Sequence, residues 1–250
     1  MSASVLSVKI RHRIGLVPLD LDFALTQPWS VLFGPSGSGK TTLLRAIAGL
    51  VRVEQGRIVR GNTALMDTAA GVFIPAHLRP VRSAPQAAWL FPHLTVIENL
   101  LYGCGKNSPP QDQFRIAEEM MELFRLGHIS ERMPRVLSGG ERQRVAVARA
   151  VVSAVTFTGP EPALLLLDEP FSGLDLALRD ELLARLKEWL GQRQIPVLSV
   201  THDVGEAFQL EAEVIRIADG KVVAQGQASA VLAEERRLLV EQLGRGVFKS

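Results

Sequence analysis

The chain has 250 residues, 47% of them hydrophobic, enough to bury a full core in one large domain or in a domain with a sub-domain. Its formal charge is only +2, from 28 basic and 26 acidic residues scattered without a run, which does not indicate a nucleic-acid binder. The single cysteine, Cys104, excludes an internal disulfide framework and fits a reducing compartment.

The opening MSASVLSVKIRHRIG breaks its apolar run with Lys9, Arg11 and Arg13, unlike a signal peptide. No segment approaches the length needed to span a bilayer, so any membrane role is expected to be peripheral. Val17, Leu19, Leu21, Phe23 and Leu25 alternate with Asp20 and Asp22, the period of a half-buried strand. SVLF leads into a glycine-rich loop, and TTLLRAIAGL reads as the helix after it, ended by Gly49. GRIVRGNTAL reads as a further edge strand. From Pro92 to about Gly159 helices dominate, and QDQFRIAEEMMELFRL places Phe114, Ala117, Met121 and Phe124 on one helical stripe, which is a packing pattern. ALLLLDEP and IPVLSVTHD are short continuous apolar runs, as parallel strands covered on both faces require. LALRDELLARLKEWLG between them is an amphipathic helix, which completes a βαβ unit. DGKVVAQGQASAVL reads as a hairpin and a short helix. The fold class is therefore α/β, with an antiparallel β part and a helical insertion.

Gly34, Pro35, Ser36, Gly37, Ser38, Gly39, Lys40 and Thr41 match the phosphate loop G-x-x-x-x-G-K-[ST], between a strand and a helix, with Thr42 next in line. Its backbone N–H groups can close around phosphates, Lys40 can reach the β- and γ-oxygens, and the Thr41 hydroxyl can ligate Mg²⁺. Asp168 ends an apolar strand where it can hold Mg²⁺, and Glu169 beside it can polarise a water. On its own that pair could equally cap a turn before Pro170. LSGGERQRVAVARA is a second anion-binding turn opening a helix, about a hundred residues after the first.

The ordered set GPSGSGKTT, LSGGERQR, LLLLDEP, SGLD and a histidine at the next strand end resembles the ATP-binding cassette ATPases over nearly the whole chain. The resemblance implies a phosphate-loop core sheet in residues 1–91 and 160–250, with a helical sub-domain over 92–159. It also implies a homodimer or a paired cassette subunit, in which Ser138, Gly139, Gly140 and Glu141 close over ATP held by the other subunit. Asp175 would link the two sites, Gln86 would sense Mg²⁺ and the attacking water, and His202 would contact the γ-phosphate. Arg142 and Arg144 are expected to form salt bridges on the helix surface.

There are two departures from the family pattern. The usual signature glutamine is Glu141, placing a negative charge near the partner's nucleotide. The aromatic that usually stacks on adenine, in the loop after the first strand, is missing from IRHRIGL; His12, or an arginine beside it, is the alternative.

WLFPHLTVIENL resembles the version found in bacterial importers of anions, metals and polyamines. Trp89, Leu90, Phe91 and Leu94 would then dock a membrane permease, or else pack the sub-domain. With PAHLRPVRSAPQ, the chain is similar to the ATPases of molybdate importers, which usually continue into a β-rich regulatory domain; this sequence stops at Ser250. The implied function is ATP hydrolysis with Mg²⁺ at the cytoplasmic face of the bacterial inner membrane. It would drive uptake of an oxyanion such as molybdate through a separate permease, with a periplasmic binding protein as indirect partner. The alternatives are an importer ATPase for sulfate, iron or polyamine, a soluble cassette acting on nucleic acid or ribosomes, and a phosphate-loop kinase. The long coiled-coil insertions or double cassettes of the soluble kind are not in this sequence, and a kinase has no use for LSGG.

Overall fold

The computed structural model describes residues 5–15, 17–105 and 109–246, apart from the side chains of 14, 17 and 242–246. Strands β1 (Leu6–Ile14), β2 (Val17–Leu25) and β3 (Trp29–Phe33) lead into helix α1 (Lys40–Ala48). Strands β4 (Gln55–Arg60), β5 (Thr63–Asp67), β6 (Val72–Phe73) and β7 (Val81–Ala84) follow, then helices α2 (Val96–Tyr102), α3 (Pro110–Leu123) and α4 (Gly139–Val155). Strand β8 (Leu164–Asp168), helix α5 (Leu176–Gln192), strand β9 (Val197–Thr201) and helix α6 (Val204–Gln209) come next. The described chain closes with β10 (Glu213–Ala218), β11 (Lys221–Gln227), α7 (Ala228–Val231) and α8 (Ala233–Gly246).

One eleven-stranded sheet runs β6-β5-β4-β1-β2-β11-β10-β3-β9-β8-β7. From β10 to β7 every neighbour is parallel, and β4, β5 and β6 with β1 and β2 form the antiparallel part. Every residue of β3, β8 and β9 is buried, which explains their unbroken apolar runs. Val31, Leu165, Leu167 and Val197 enter a core with the helices of residues 96–155 and with α5. Leu32, Leu166, Leu198 and Val200, one position along, enter a second core with α1 and the antiparallel strands. Each fully buried leucine contributes about 1.5–3 kcal/mol, so the sheet is stabilised from both faces. β1 and β2 instead alternate: Leu21 and Phe23 point inward, while Lys9–Asp22 (3.1 Å) and Arg11–Asp20 (3.2 Å) pair across the exposed face. The side chain of Val17, first of the expected alternating set, lies outside the described residues.

Several expectations change. GRIVRGNTAL is two strands, β4 and β5, joined at Gly61–Asn62, because positive φ at Gly61 (53°) allows a tight reversal. IRHRI is strand, not loop: its backbone stays in antiparallel register with β2 as far as Ile14–Val17, and Ile10 is buried between exposed Lys9 and Arg11. Phe114 is 54% exposed; Ile116, Ala117, Met120 and Met121 carry the buried stripe of α3 instead. Arg142 and Arg144 form no surface salt bridges among the described residues. Arg142 donates to the Leu137 carbonyl (2.6 Å) and the buried Arg144 to that of Phe124 (2.8 Å), because both face chain ends with unpaired carbonyls.

Arg79 is fully buried and has no carboxylate partner among the described residues. Its guanidinium donates to the Ala46 and Ile47 carbonyls at the end of α1 (both 2.8 Å), to Ile74 (2.7 Å) and to Leu65 (3.2 Å). A helix C-terminus carries partial negative charge, so this cation caps α1 and fastens it to β5. Charged hydrogen bonds each contribute about 1.5–3 kcal/mol and do not add fully, so Arg79→Ala should destabilise the fold by roughly 3–5 kcal/mol. Urea unfolding checks this.

Candidate functional site

Strands β3, β9, β8 and β7 are adjacent and parallel, so their carboxyl ends lie side by side at one edge of the sheet. That edge is where open α/β sheets bind ligands. β3 delivers the phosphate loop. A Cβ on Gly34 would sit 2.1 Å from the Ile217 carbonyl oxygen of β10, so the loop leaves the sheet only as glycine. Gly39, at φ 94°, lies against Leu19 and turns the chain into α1. Lys40 donates to the carbonyls of Gly34 (2.8 Å) and Pro35 (2.7 Å). Burial lowers its pKa, opposed by the charges of Glu169 and Asp168. Pro35, Ser36, Gly37 and Thr41 are exposed, Thr42 is half-buried, and Ser38 is buried beside Lys40.

β8 delivers the carboxylates. Asp168 is buried and hydrogen-bonded to the Thr41 side chain; burial raises its pKa. Glu169 stands in the left-handed region at φ 48°, a conformation costly for a non-glycine residue, with its N–H held by the Val200 carbonyl (3.1 Å). That turn aims its carboxylate at two side chains from the neighbouring strand ends. Gln86, just past β7, donates Nε2 to Oε2 (2.9 Å), and His202, just past β9, brings Nδ1 to 3.2 Å from Oε1. Residues 86, 168, 169 and 202 thus converge beside the phosphate loop. The oxygen donors there, one buried carboxylate and one hydroxyl, suit Mg²⁺, which binds through one or two carboxylates plus substrate phosphates.

The second turn lies elsewhere. Ser138 caps α4, its hydroxyl accepting from the Glu141 N–H (3.2 Å) while the Glu141 carboxylate accepts from the Ser138 N–H (2.7 Å). The Glu141 charge is therefore committed within its own helix start, with His128 at 3.7 Å. S-x-x-E is a capping box and was readable in the sequence. Gly139 faces open space, and a Cβ on Gly140 would meet Leu174 at 2.7 Å, so this turn packs against the SGLD turn. There Asp175 caps α5 by accepting from Leu178 N–H (2.9 Å).

Trp89 is 72% exposed. With Leu50 and Gln86 it lines a cleft of about 440 Å³ that reaches Asp168. Leu90 packs on the helical core, Leu94 is half-buried, and the Phe91 ring lies 4.1 Å from that of Tyr102. Buried Asn99 holds this segment through Phe91 and Leu94, and Arg149 of α4 bonds the Trp89 carbonyl; hydrophobic periodicity carries no signal for either. His12 pairs in register with Leu19, hence on the sheet face that meets Gly39, with Nδ1 3.7 Å from Glu54.

A phosphate loop and a carboxylate strand in the parallel part of one sheet, with LSGG opening a separate helix, define the class. The chain belongs to the ABC transporter family, whose sequence model matches residues 19–172. It is similar to the molybdenum import ATP-binding protein ModC of Mesorhizobium japonicum, 39% identical over 239 residues, covering 96% of this chain and 62% of that protein. It is also similar to ModC 1 of Azotobacter vinelandii, 41% identical over 229 residues, covering 90% of this chain and 61% of that protein. The chain thus spans about 62% of the length of such relatives. Among solved structures, a dimeric ATP-binding cassette in a post-hydrolysis state bound to ADP and Pi aligns with TM-score 0.71 and 25% identity, covering 89% of this chain and 98% of that one.

Hydrogen bonds to Ser138, its backbone N–H foremost, hold the Glu141 pKa below its ordinary value of 4.5. A lowered folded-state pKa stabilises above the unfolded value and loses that contribution as pH falls. The stability advantage of wild type over Glu141→Gln should therefore shrink as pH drops below 4.5, in paired thermal melts.

Proposed function

We propose that this chain is the ATP-hydrolysing subunit of an importer, working as a pair of cassettes beneath separate permease subunits. The observation that carries the reading is the convergence of Gln86 and His202 on Glu169, beside Lys40 and Asp168. ATP phosphates enter the Gly34–Thr42 loop, where backbone N–H groups and a re-aimed Lys40 take the negative charge. Thr41, Asp168 and Gln86 would hold Mg²⁺, which supplies charge neutralisation on the phosphates. Glu169 orients and polarises the attacking water, His202 steadies the γ-phosphate, and Gln86 reports on both. His12, on the sheet face that meets the loop, stacks on adenine.

Ser138, Gly139, Gly140 and Glu141, with Asp175 beside them, face the nucleotide of the second subunit. Their own phosphate loop is served by the partner's copy. Residues 92–159 act as the helical sub-domain, while 1–91 and 160–250 form the nucleotide-binding core. The exposed Trp89, with Leu90, Phe91 and Leu94 behind it, docks the permease at the cleft that ends on Gln86 and Asp168. Among the described residues no helix is long and apolar enough to cross a membrane; in this reading the pathway lies in the separate permease subunits. The molybdenum import proteins it resembles support an oxyanion such as molybdate as cargo, delivered by a periplasmic binding protein, with this subunit on the cytoplasmic face of the inner membrane.

Glu169→Gln keeps the shape of the site and removes the base. Turnover should fall by about 10²- to 10⁴-fold with nucleotide binding retained. Size-exclusion chromatography with ATP should then show a trapped dimer. Undiminished turnover would remove Glu169 from the chemistry.

A further inference from the structure

The helix that Asp175 caps is fastened directly to the turn that carries His202. Arg179 lies one turn into α5, its N–H donating to the Asp175 carbonyl (3.0 Å), while the Asp175 side chain caps the same turn at Leu178. Its guanidinium is only 15% exposed. It donates to Oδ2 of Asp203, to Asp180 (3.1 Å), and faces Glu206 at 3.6 Å. Asp203 directly follows His202. Its other oxygen caps α6 by accepting from the Glu206 N–H (3.1 Å), and its own N–H donates to Thr201 (3.0 Å). The Asp203 carboxylate is thus shared between α5 and α6, and the backbone carrying His202 has little freedom to move without it.

Arg179 also lines, with Glu169, His202, Asp203 and Ser172, a cleft of about 150 Å³ continuous with the site. Burial raises the Glu206 carboxyl pKa against the opposing hydrogen bond from Thr201 and the charge of Arg179. At Asp203 burial is outweighed by hydrogen bonds from the Glu206 backbone and Arg179, which hold its pKa below the ordinary value.

We propose that Arg179 is a positioning residue: through Asp203 it sets His202 according to where the Asp175 turn stands, so closure against the partner at one nucleotide is felt at the other. The inference rests on the roles proposed above for Asp175 and His202. A shift of the first turn of α5 moves the guanidinium, and a bidentate-capable charged pair transmits that shift more stiffly than apolar contact would. A displacement of about 1 Å at a reacting group can cost roughly 100-fold in rate.

The test is a double-mutant cycle on kcat at saturating ATP, with nucleotide affinity and thermal unfolding measured alongside. Arg179→Ala should lower kcat by about 10- to 100-fold while nucleotide affinity stays near wild type. In the His202→Ala background, Arg179→Ala should add less than about a twofold further loss, because residues acting as a unit are not additive. Asp203→Asn retains an oxygen that can cap α6 but drops the charge partner, so it should show the same non-additivity even if Arg179→Ala does not fold. Losses that multiply in both cycles would show that Arg179 acts independently of His202 and would overturn the inference alone. Wild-type turnover by His202→Ala would overturn the reading of the site, and the inference with it.

Discussion

Everything chemical in this protein depends on one adjacency: four parallel strands whose carboxyl ends stand in the order β3, β9, β8, β7. Their residues are far apart in the chain, yet each strand delivers one component to the same edge. The phosphate loop follows Phe33, His202 follows Thr201, Glu169 follows Asp168, and Gln86 follows the Ala84–Pro85 step. A strand slipped by one residue would turn its leucines to the wrong core, because alternate positions of β3, β8 and β9 are committed to different faces. Burial on both sides of the sheet is therefore what fixes the register of the site.

The adjacency is sharpened locally by features that oppose intrinsic preference. Glu169 occupies a left-handed conformation that a glutamate avoids, and Gly34 passes so close to Ile217 that a side chain would collide. Such strain is held only where the surroundings over-determine it, here by the Val200 carbonyl and by β10. Away from the sheet, charged side chains set the spacing of the helices. Arg79 ends α1, Arg144 closes the carbonyls after α3, and Arg149 ties α4 to the Trp89 segment. All three do this by donating to backbone carbonyls, a role for arginine that leaves no carboxylate partner to look for.

That distinction explains what could be read from the residues alone. The phosphate loop, the all-apolar strands and the strand-end carboxylates were legible because their chemistry is local and their neighbours in sequence are their neighbours in space. The Glu169–Gln86 and Glu169–His202 contacts depend on the strand order, which periodicity does not encode; the family resemblance points to Gln86 and His202 as site residues but not to these contacts. The family pattern puts a loop after the first strand at IRHRIGL, whereas IRHRI is the end of β1. In the structure Lys9 and Arg11 pair across to Asp22 and Asp20 on the outer face of a strand. Spacing points Phe114 inward, but Ile116 and Met120 fill the buried stripe and leave it outside. Glu141 looked like a stray charge near a ligand, while the capping box three residues from Ser138 already gave it a partner.

In one chain the Ser138 turn is built around its own helix start, with the face of Gly139 left open. In the proposed pair a second copy would supply what such a turn can grip, each nucleotide drawing on Lys40 from one subunit and Ser138 from the other. The measurement that bears on this most directly is turnover against mixing ratio for Ser138→Arg and Lys40→Ala. In a mixed pair one composite site carries both defects and the other carries neither. The account predicts that Ser138→Arg binds nucleotide yet is inactive alone, and that activity reappears on mixing with a maximum near equal amounts. Hydrolysis by Ser138→Arg alone at the wild-type rate would contradict it.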